Sequence, residues 1–274
     1  MPLYIVATPI GNLDDISFRA IETLKTVDVI LAEDTRHSKK LLSNYDINTP
    51  VRAFHEHNEV AKTTDVVADL LAGKNIALIS DAGTPLISDP GYVLVSKAKK
   101  AGVIVSPIPG ASAIISAMSS SGIASNSFTF FGFLPSKTTA RLKVIQSIAH
   151  INETAIFYES PKRILACAQD LLQVLGNERI VCFAKEISKS FETIKTNTLP
   201  KLIDYLTEDE AHQKGEFVIL ISGIDKNNIV EGEAQLDKIL PILLTEMGAS
   251  KAAKLAAKIT GIDKKYCYQR AINL

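Results

Sequence analysis

Short apolar runs alternate with amphipathic stretches from the first residues of the chain. Leu3–Ala7, Val27–Ala32, Asn75–Ser80 and Val103–Ile108 are brief and rich in Val, Ile and Leu, as buried strands are. Between them Ile16–Lys25, Thr35–Tyr45, Val60–Ala72 and Gly91–Ala101 carry apolar residues at helical spacing. Strand alternating with helix predicts an α/β fold, with a mostly parallel sheet covered by helices. A helix of small residues is expected at Ala111–Ser121.

The rhythm then changes. "SNSFTFFGFLPSKTTAR" mixes aromatic residues with a glycine and a proline and reads as a domain junction. Beyond it, strands are expected at Thr154–Tyr158, Ile180–Lys185, Phe191–Thr196 and Glu216–Ser222, and helices at Thr138–Ala149, Pro161–Leu175 and Leu199–Leu206. The second and third of these strands lie too close together for a helical crossover. They are expected to pair antiparallel, in a mixed sheet. "GIDKNNIVEGEA" reads as a polar linker, followed only by helices: Leu236–Glu246, Ser250–Thr260 and Asp263–Ile272. Pro241 should kink or restart the first of these. Ser250 and Asp263 are expected N-caps and Gly261 an expected helix end. Two short helices joined through a glycine fit a helix-turn-helix. The expected domains are an N-terminal α/β domain over 1–123, a second α/β domain over 124–224, and a linker with a helical tail over 225–274.

Composition narrows the function classes. With 30 basic and 30 acidic residues among 274, a uniformly basic nucleic-acid coat is excluded, but a local basic patch is not. From Pro241 onward six basic residues face two acidic ones. No apolar run reaches the length of a membrane span, and "MPLYIVATPIGN" lacks the basic start of a secretion signal. Cys167, Cys182 and Cys267 are odd in number and unclustered, which suggests free packed thiols in a reducing cytoplasm, with no metal site.

Three loops hold the candidate chemistry. "TPIGN" follows the first strand, "SDAGTPLISDPG" the third and "PIPGASA" the fourth. In open α/β sheets the ligand crevice lies outside the carboxyl ends of the strands. Glycine lets backbone groups approach a ligand and proline restricts each loop, so the set reads as a rigid floor for a small polar ligand. The glycine pattern of dinucleotide-binding folds and the Walker A pattern are both absent.

These loops, with "EDTRHSKKLL", "FHEHNE", "FYESPKRI" and "AKEISKSFE", resemble the tetrapyrrole methylase superfamily, and within it the bacterial group of ribosomal RNA small subunit methyltransferases. The resemblance spans roughly Pro2 to Gly223. The helical tail resembles the appendage of the same group. The resemblance implies a two-domain α/β protein, usually a homodimer, with S-adenosylmethionine in the cleft between the domains. It further implies methylation of a cytidine ribose 2′-hydroxyl in the decoding region of 16S ribosomal RNA. By motif, Pro9, Gly11, Leu13, Asp81, Gly83, Thr84, Pro85, Ile87, Ala111, Ser112 and Ala113 would border the cofactor. Tyr158, Glu159 and Glu186 would reach it from the second domain.

Methyl transfer to a hydroxyl needs in-line positioning and benefits from a base. "EDTRH" offers Glu33, Asp34, Arg36 and His37, and "FHEHNE" offers His55, Glu56, His57 and Glu59. Glu33, Asp34, Arg36, His37, His55 and Glu59 are kept as catalytic candidates with no single base assigned. The acidic residues equally suit a helix N-terminus, and the histidines structural hydrogen bonds. Lys137, Arg141, Lys143, Lys162 and Arg163 are candidates for RNA phosphates, as are Lys251, Lys254 and Lys258, which share one face of a tail helix. A solvated surface is the alternative for each. Other acceptors with the same cofactor (a tetrapyrrole or a protein side chain) remain open, as does a noncatalytic ribosome-assembly role.

Overall fold

A computed structural model describes residues 2–224 and 226–274, and for 226–234 the backbone alone. The chain forms two compact units, residues 1–120 with 185–193, and residues 121–184 with 194–274.

The first unit holds β1 (Leu3–Val6), β2 (Val29–Ala32), β3 (Val51–Ala53), β4 (Ile76–Ile79) and β5 (Val105–Ile108). They form one sheet in the order β3-β2-β4-β1-β5, and every adjacent pair is parallel. Helices α1 (Phe18–Thr26), α2 (Thr35–Asn44), α3 (Glu56–Leu71), α4 (Tyr92–Lys100) and α5 (Ala113–Ser120) connect and follow the strands. Successive strand residues feed two separate cores. Val29 and Leu31 pack with Phe54, Leu70 and Leu94, while Ile30 and Ala32 pack with Leu24, Leu42 and Val6. Both faces are thus covered, which is why these strands read as continuous apolar runs. The short edge strand β3 does not stand out in the sequence. Its central Arg52 points outward to Asp69 at 3.0 Å, so it lacks an apolar run.

In the second unit β6 (Phe128–Phe133), β7 (Thr154–Glu159), β8 (Ile180–Lys185), β9 (Thr193–Thr198) and β10 (Phe217–Ile221) form a sheet in the order β6-β7-β10-β8-β9. β6 runs parallel to β7, and β10 antiparallel to it, so the sheet is mixed as expected. The expected junction is strand β6 itself. Its Phe131 stacks on Phe157 with ring centroids 5.1 Å apart, which gives its aromatic residues a packing purpose. Helices α6 (Thr138–Ile148), α7 (Ile164–Leu175) and α8 (Leu199–Glu208) cover a core built on Phe157, Phe183, Leu171 and Ile219.

The tail consists of α9 (Lys226–Glu246), α10 (Ala249–Thr260) and α11 (Lys264–Ile272). It has its own apolar centre, made by Leu236, Leu240, Ala252, Ala256 and Cys267. Two sequence expectations change here, the linker and the Ser250 cap. The segment expected as a linker is helical from Lys226 onward, Asp225 lying outside the described residues, and α9 continues through Pro241. Gly248, with an extended backbone, caps α10 in place of Ser250. Gly261 ends that helix with φ +72°, and Asp263 caps α11 by accepting from the Tyr266 N–H at 3.0 Å, both as expected. Among the described residues no helix is long and apolar enough to cross a membrane.

Candidate functional site

The glycine-rich loops meet at the carboxyl edge of the parallel sheet. Thr8 and Gly83 exchange two backbone hydrogen bonds, at 2.9 and 3.0 Å, joining the loop after β1 to the loop after β4. The Thr8 hydroxyl donates to the Ser80 carbonyl at 3.2 Å, and the Thr84 hydroxyl to the Ala111 carbonyl at 3.2 Å, which brings in the loop after β5. The Asp34 N–H donates to Asp81 Oδ1 at 3.0 Å, so the loop after β2 joins as well. A Cβ at Gly110 would sit 3.0 Å from the Ala7 Cβ, and one at Gly83 would sit 3.3 Å from Ile10 Cγ2 at a left-handed φ of +80°. Leu86 and Ser88 also adopt positive φ, +74° and +70°. Such backbone persists only where its surroundings over-determine it, and it concentrates at functional sites. Pro9 and Pro85 are buried supports, while Leu13 and Ile87 keep 39% and 41% of their surface in solvent.

Carboxylates gather at the same edge. Burial pushes the Glu33 carboxyl above its ordinary range, and the charges of Asp89, Asp81, Glu56 and Asp34 push it further. Asp89 is raised to about 6, chiefly by burial and then by Asp81, against a hydrogen bond with Ser80 that opposes the rise. A carboxyl in this range can take up a proton near neutral pH. Asp89 was not among the sequence candidates, although the second aspartate of "SDAGTPLISDPG" marked it.

The other candidates separate by what they touch. Asp34 caps α2, accepting from the Arg36 and His37 N–H groups at 2.7 and 3.3 Å, and these two bonds hold its carboxyl below the usual range. Arg36 and His37 are exposed on that first turn. His55 opens α3 in a reciprocal box. Its N–H donates to Asn58 Oδ1 at 3.0 Å, and the Asn58 amide meets its Nε2 at 2.9 Å. With Nε2 accepting, the proton of a neutral ring falls on Nδ1, which is buried without a hydrogen-bond partner. Glu59 is 8% exposed, and its Oε1 accepts from three N–H groups at the start of α4, those of Gly91, Val93 and Leu94. That binding gives Glu59 a capping role.

Several expected binding residues are turned inward. Glu159 is buried and takes the Arg163 guanidinium at 2.8 Å and the Ser160 N–H at 2.7 Å, so its carboxylate is engaged within the fold. Arg163 also donates to the Leu134 carbonyl, so its guanidinium is already engaged by the fold while 28% of the side chain stays exposed. Arg141 is 4% exposed, pairs with Asp170 at 2.6 Å and donates to the carbonyls of Pro135 and Ser136. It has no surface to offer a phosphate. Tyr158 packs against Phe130 and Phe133. Lys137, Lys143, Lys162, Lys251, Lys254 and Lys258 are exposed. Glu186 belongs to the segment Lys185–Thr193, which clusters with the first unit and not the second. There a Cβ at Gly11 would lie 3.0 Å from the Ile187 carbonyl, Ser188 donates to Asp15, and Glu186 holds Lys189 at 2.9 Å.

The loop edge thus offers open backbone, part-exposed apolar side chains and a concentration of carboxylates. This set fits S-adenosylmethionine, whose adenine and ribose need polar and apolar contacts and whose sulfonium is a cation.

A family model described as Tetrapyrrole (Corrin/Porphyrin) Methylases matches residues 2–203, and one described as RsmI C-terminal HTH domain matches 230–274. The Ribosomal RNA small subunit methyltransferase I of Vibrio cholerae is 49% identical over 271 residues, covering 97% of this chain and 93% of its own. That of Haemophilus influenzae is 50% identical over 268 residues, with 97% and 95% covered. Among solved structures, the methyltransferase CobJ and diphthine synthase each superpose with a TM-score of 0.60, at 14% and 12% identity. They cover 81% of this chain and 93% and 90% of their own, and show the likeness of fold. The chain belongs to the tetrapyrrole methylase family, within its ribosomal RNA small subunit methyltransferase I group, and its cofactor is S-adenosylmethionine.

Proposed function

We propose that the protein methylates the 2′-hydroxyl of a cytidine ribose in the decoding region of 16S ribosomal RNA. The acceptor would be presented within the small ribosomal subunit, to a homodimer of this chain. The observation that carries the reading is the hydrogen-bonded junction of the loops after β1, β2, β4 and β5, in a chain about half identical to proteins named for methylating small-subunit ribosomal RNA.

S-adenosylmethionine supplies the electrophilic methyl group. Gly11, Leu13, Gly83, Thr84, Ile87 and Ala111–Ala113 would hold it, with Asp81 adding negative charge. The residues themselves do three things. The bonds Thr8–Gly83 and Thr84–Ala111 fix the loops before ligand arrives, which lowers the ordering cost of binding. Alignment of the reacting atoms then accounts for much of the rate. The Glu33 and Asp89 carboxyls, both raised by burial and by neighbouring carboxylates, Asp81 acting on each, are suited to receive the proton that the hydroxyl loses.

Mass spectrometry of ribose methylation in cells lacking the protein tests the reading, with complementation by the wild-type chain and by a Glu33→Gln, Asp89→Asn copy. A missing 2′-O-methylcytidine restored only by wild type supports it. Unaltered ribosomal RNA methylation would point to a tetrapyrrole or protein acceptor. Restoration by the double variant with no cofactor turnover would point to a noncatalytic role.

A further inference from the structure

The second unit contains a cleft of about 1290 Å³ between the helical tail and the α/β body. One wall is the tail, presenting Lys254 and Lys258 from α10 and Lys264 and Tyr266 from α11. The facing wall includes Arg179 and His150. Arg179 donates to the carbonyls of Ala149 and Ser222 at 2.6 and 2.9 Å, which anchors that wall and leaves a half-buried guanidinium charge behind it. Burial lowers the pKa of this guanidinium, yet arginine stays charged across any working pH.

Four cationic side chains therefore line the cleft, against one carboxylate, Asp263. That carboxylate caps α11 by accepting from the Tyr266 N–H, and with it counted the lining remains net positive. The sequence grouped Lys251 with Lys254 and Lys258 on one helical face. The cleft divides them: Lys251 is not part of its lining, and Lys264 takes its place. Tyr266, with 39% of its surface in solvent, lies beside the lysines. Lysines beside a part-exposed aromatic ring are the elements of a single-strand RNA track, in which cations follow the phosphates and a ring stacks on a base.

We propose that this cleft, and not the lysine face of α10 as a whole, holds a single-stranded segment of the substrate RNA. Lys254, Lys258 and Lys264 neutralise its phosphates, and Tyr266 stacks on a base. The inference rests on the RNA-methyltransferase reading and adds to it the route of the strand and three residues the sequence did not assign, Lys264, Tyr266 and Arg179.

The test measures binding of the full-length protein to unmethylated small ribosomal subunits across a salt series. The Lys254→Gln, Lys258→Gln, Lys264→Gln variant should bind more weakly and lose about 2 from the slope of log affinity against log salt, at roughly 0.7 per single-strand phosphate contact. The control Lys251→Gln, Lys265→Gln removes two exposed charges outside the cleft and should keep the wild-type slope. Tyr266→Ser should weaken binding about tenfold with the slope unchanged, because stacking carries no counterion release. Calorimetric titration with S-adenosylmethionine should be normal in all three, showing intact loops. An unchanged slope in the cleft variant, or an equal loss in the control, overturns the cleft. If wild-type protein neither binds nor methylates the subunits, the RNA reading itself falls. If it does both while the cleft variant matches it, only this inference falls.

Discussion

Glu59 Oε1 lies 3.0 Å from the backbone nitrogen of Gly91, and so a carboxylate on α3 closes the N-terminus of α4, a helix that follows the "SDAGTPLISDPG" loop. Gly91 has φ +130° and offers no side chain of its own, so the cap must come from elsewhere in the fold. The negative charge also suits the positive end of the helix dipole. Glu59→Ala would leave three N–H groups without their acceptor in a buried setting. We expect a loss of about 2 kcal/mol in stability by denaturant titration, since hydrogen bonds to charged groups contribute roughly that much. Turnover of the protein that remains folded should stay near wild type. A collapse of kcat at unchanged stability would move Glu59 into the chemistry.

The Asp89 carboxyl is held near 6 in the fold, against 3.8 for a free aspartate. Folding therefore favours its protonated form. The stabilisation from that proton is complete below about pH 4 and is lost as the pH rises through about 6. Asparagine imitates the protonated side chain at every pH. Asp89→Asn should leave the melting temperature unchanged near pH 4 and raise it at pH 7.5. The gain should be about 1 kcal/mol after discounting for the solvent that screens a half-exposed group. Thermal melts at the two pH values check this. The same substitution should slow methyl transfer if Asp89 receives the proton, and a gain in stability with full activity would confine it to electrostatics.

The fold was legible where the hydrophobic pattern was unambiguous. β2 and β4 are apolar throughout because both faces of the sheet are covered there, and apolar runs of that length have few other uses. β6 was hidden because its phenylalanines alternate with Thr129 and Gly132 next to a proline-bearing turn, the same composition as a junction. The loops were legible through glycine and proline. The roles of the charged residues were not, because each is decided by a partner distant in the chain. Glu59 looks reactive until Gly91 is placed against it, and Arg141 looks like a phosphate ligand until Asp170 is. Nothing in the local sequence around either residue announces that contact.

Arg141 and Asp170 form a nearly buried pair at 2.6 Å, with side chains 5% and 13% exposed. Arg141→Met would leave the Asp170 charge uncompensated, which costs about 3 kcal/mol when one partner of a buried pair is removed. Chemical denaturation should show that loss. The salt dependence of RNA binding should not move, whereas Lys137→Gln and Lys143→Gln, at exposed positions, test for phosphate contact directly. A shallower slope for Arg141→Met in protein that is fully folded would restore it to the RNA-binding set.

Valine at Gly83 would have to adopt φ +80° and press on Ile10, and valine at Gly110 would press on Ala7. Both residues lie in loops proposed to hold the cofactor. Each variant should abolish S-adenosylmethionine binding in calorimetric titration, while circular dichroism retains the helical signal of the remaining α/β framework. Normal binding by both would show that the cofactor sits elsewhere.

The tail should be separable from the cofactor edge. Its apolar centre of Leu236, Leu240, Ala252 and Cys267 is distinct from that of the second sheet, which is built on Phe157, Phe183 and Ile219. Since α9 already begins at Lys226, a cut inside the expected linker would leave a helix stub, and the chain is better ended at Ile224. The Ile224 N–H donates to the Ile151 carbonyl at 3.0 Å, which secures the new terminus to the body. The shortened protein should melt cooperatively and bind S-adenosylmethionine as before, because the loops after β1, β2, β4 and β5 all lie in the other unit. It loses eight basic and six acidic residues, among them Lys254, Lys258 and Lys264 of the proposed RNA cleft. Affinity for the small ribosomal subunit should fall, and its salt dependence should become shallower by about 0.7 for each single-strand phosphate contact removed. Under saturating acceptor, kcat should change less than kcat/KM, the pattern of an interaction made equally in the ground and transition states. Wild-type affinity and slope in the truncated protein would mean that the tail has no part in holding RNA, and loss of S-adenosylmethionine binding would mean that the body does not stand without it.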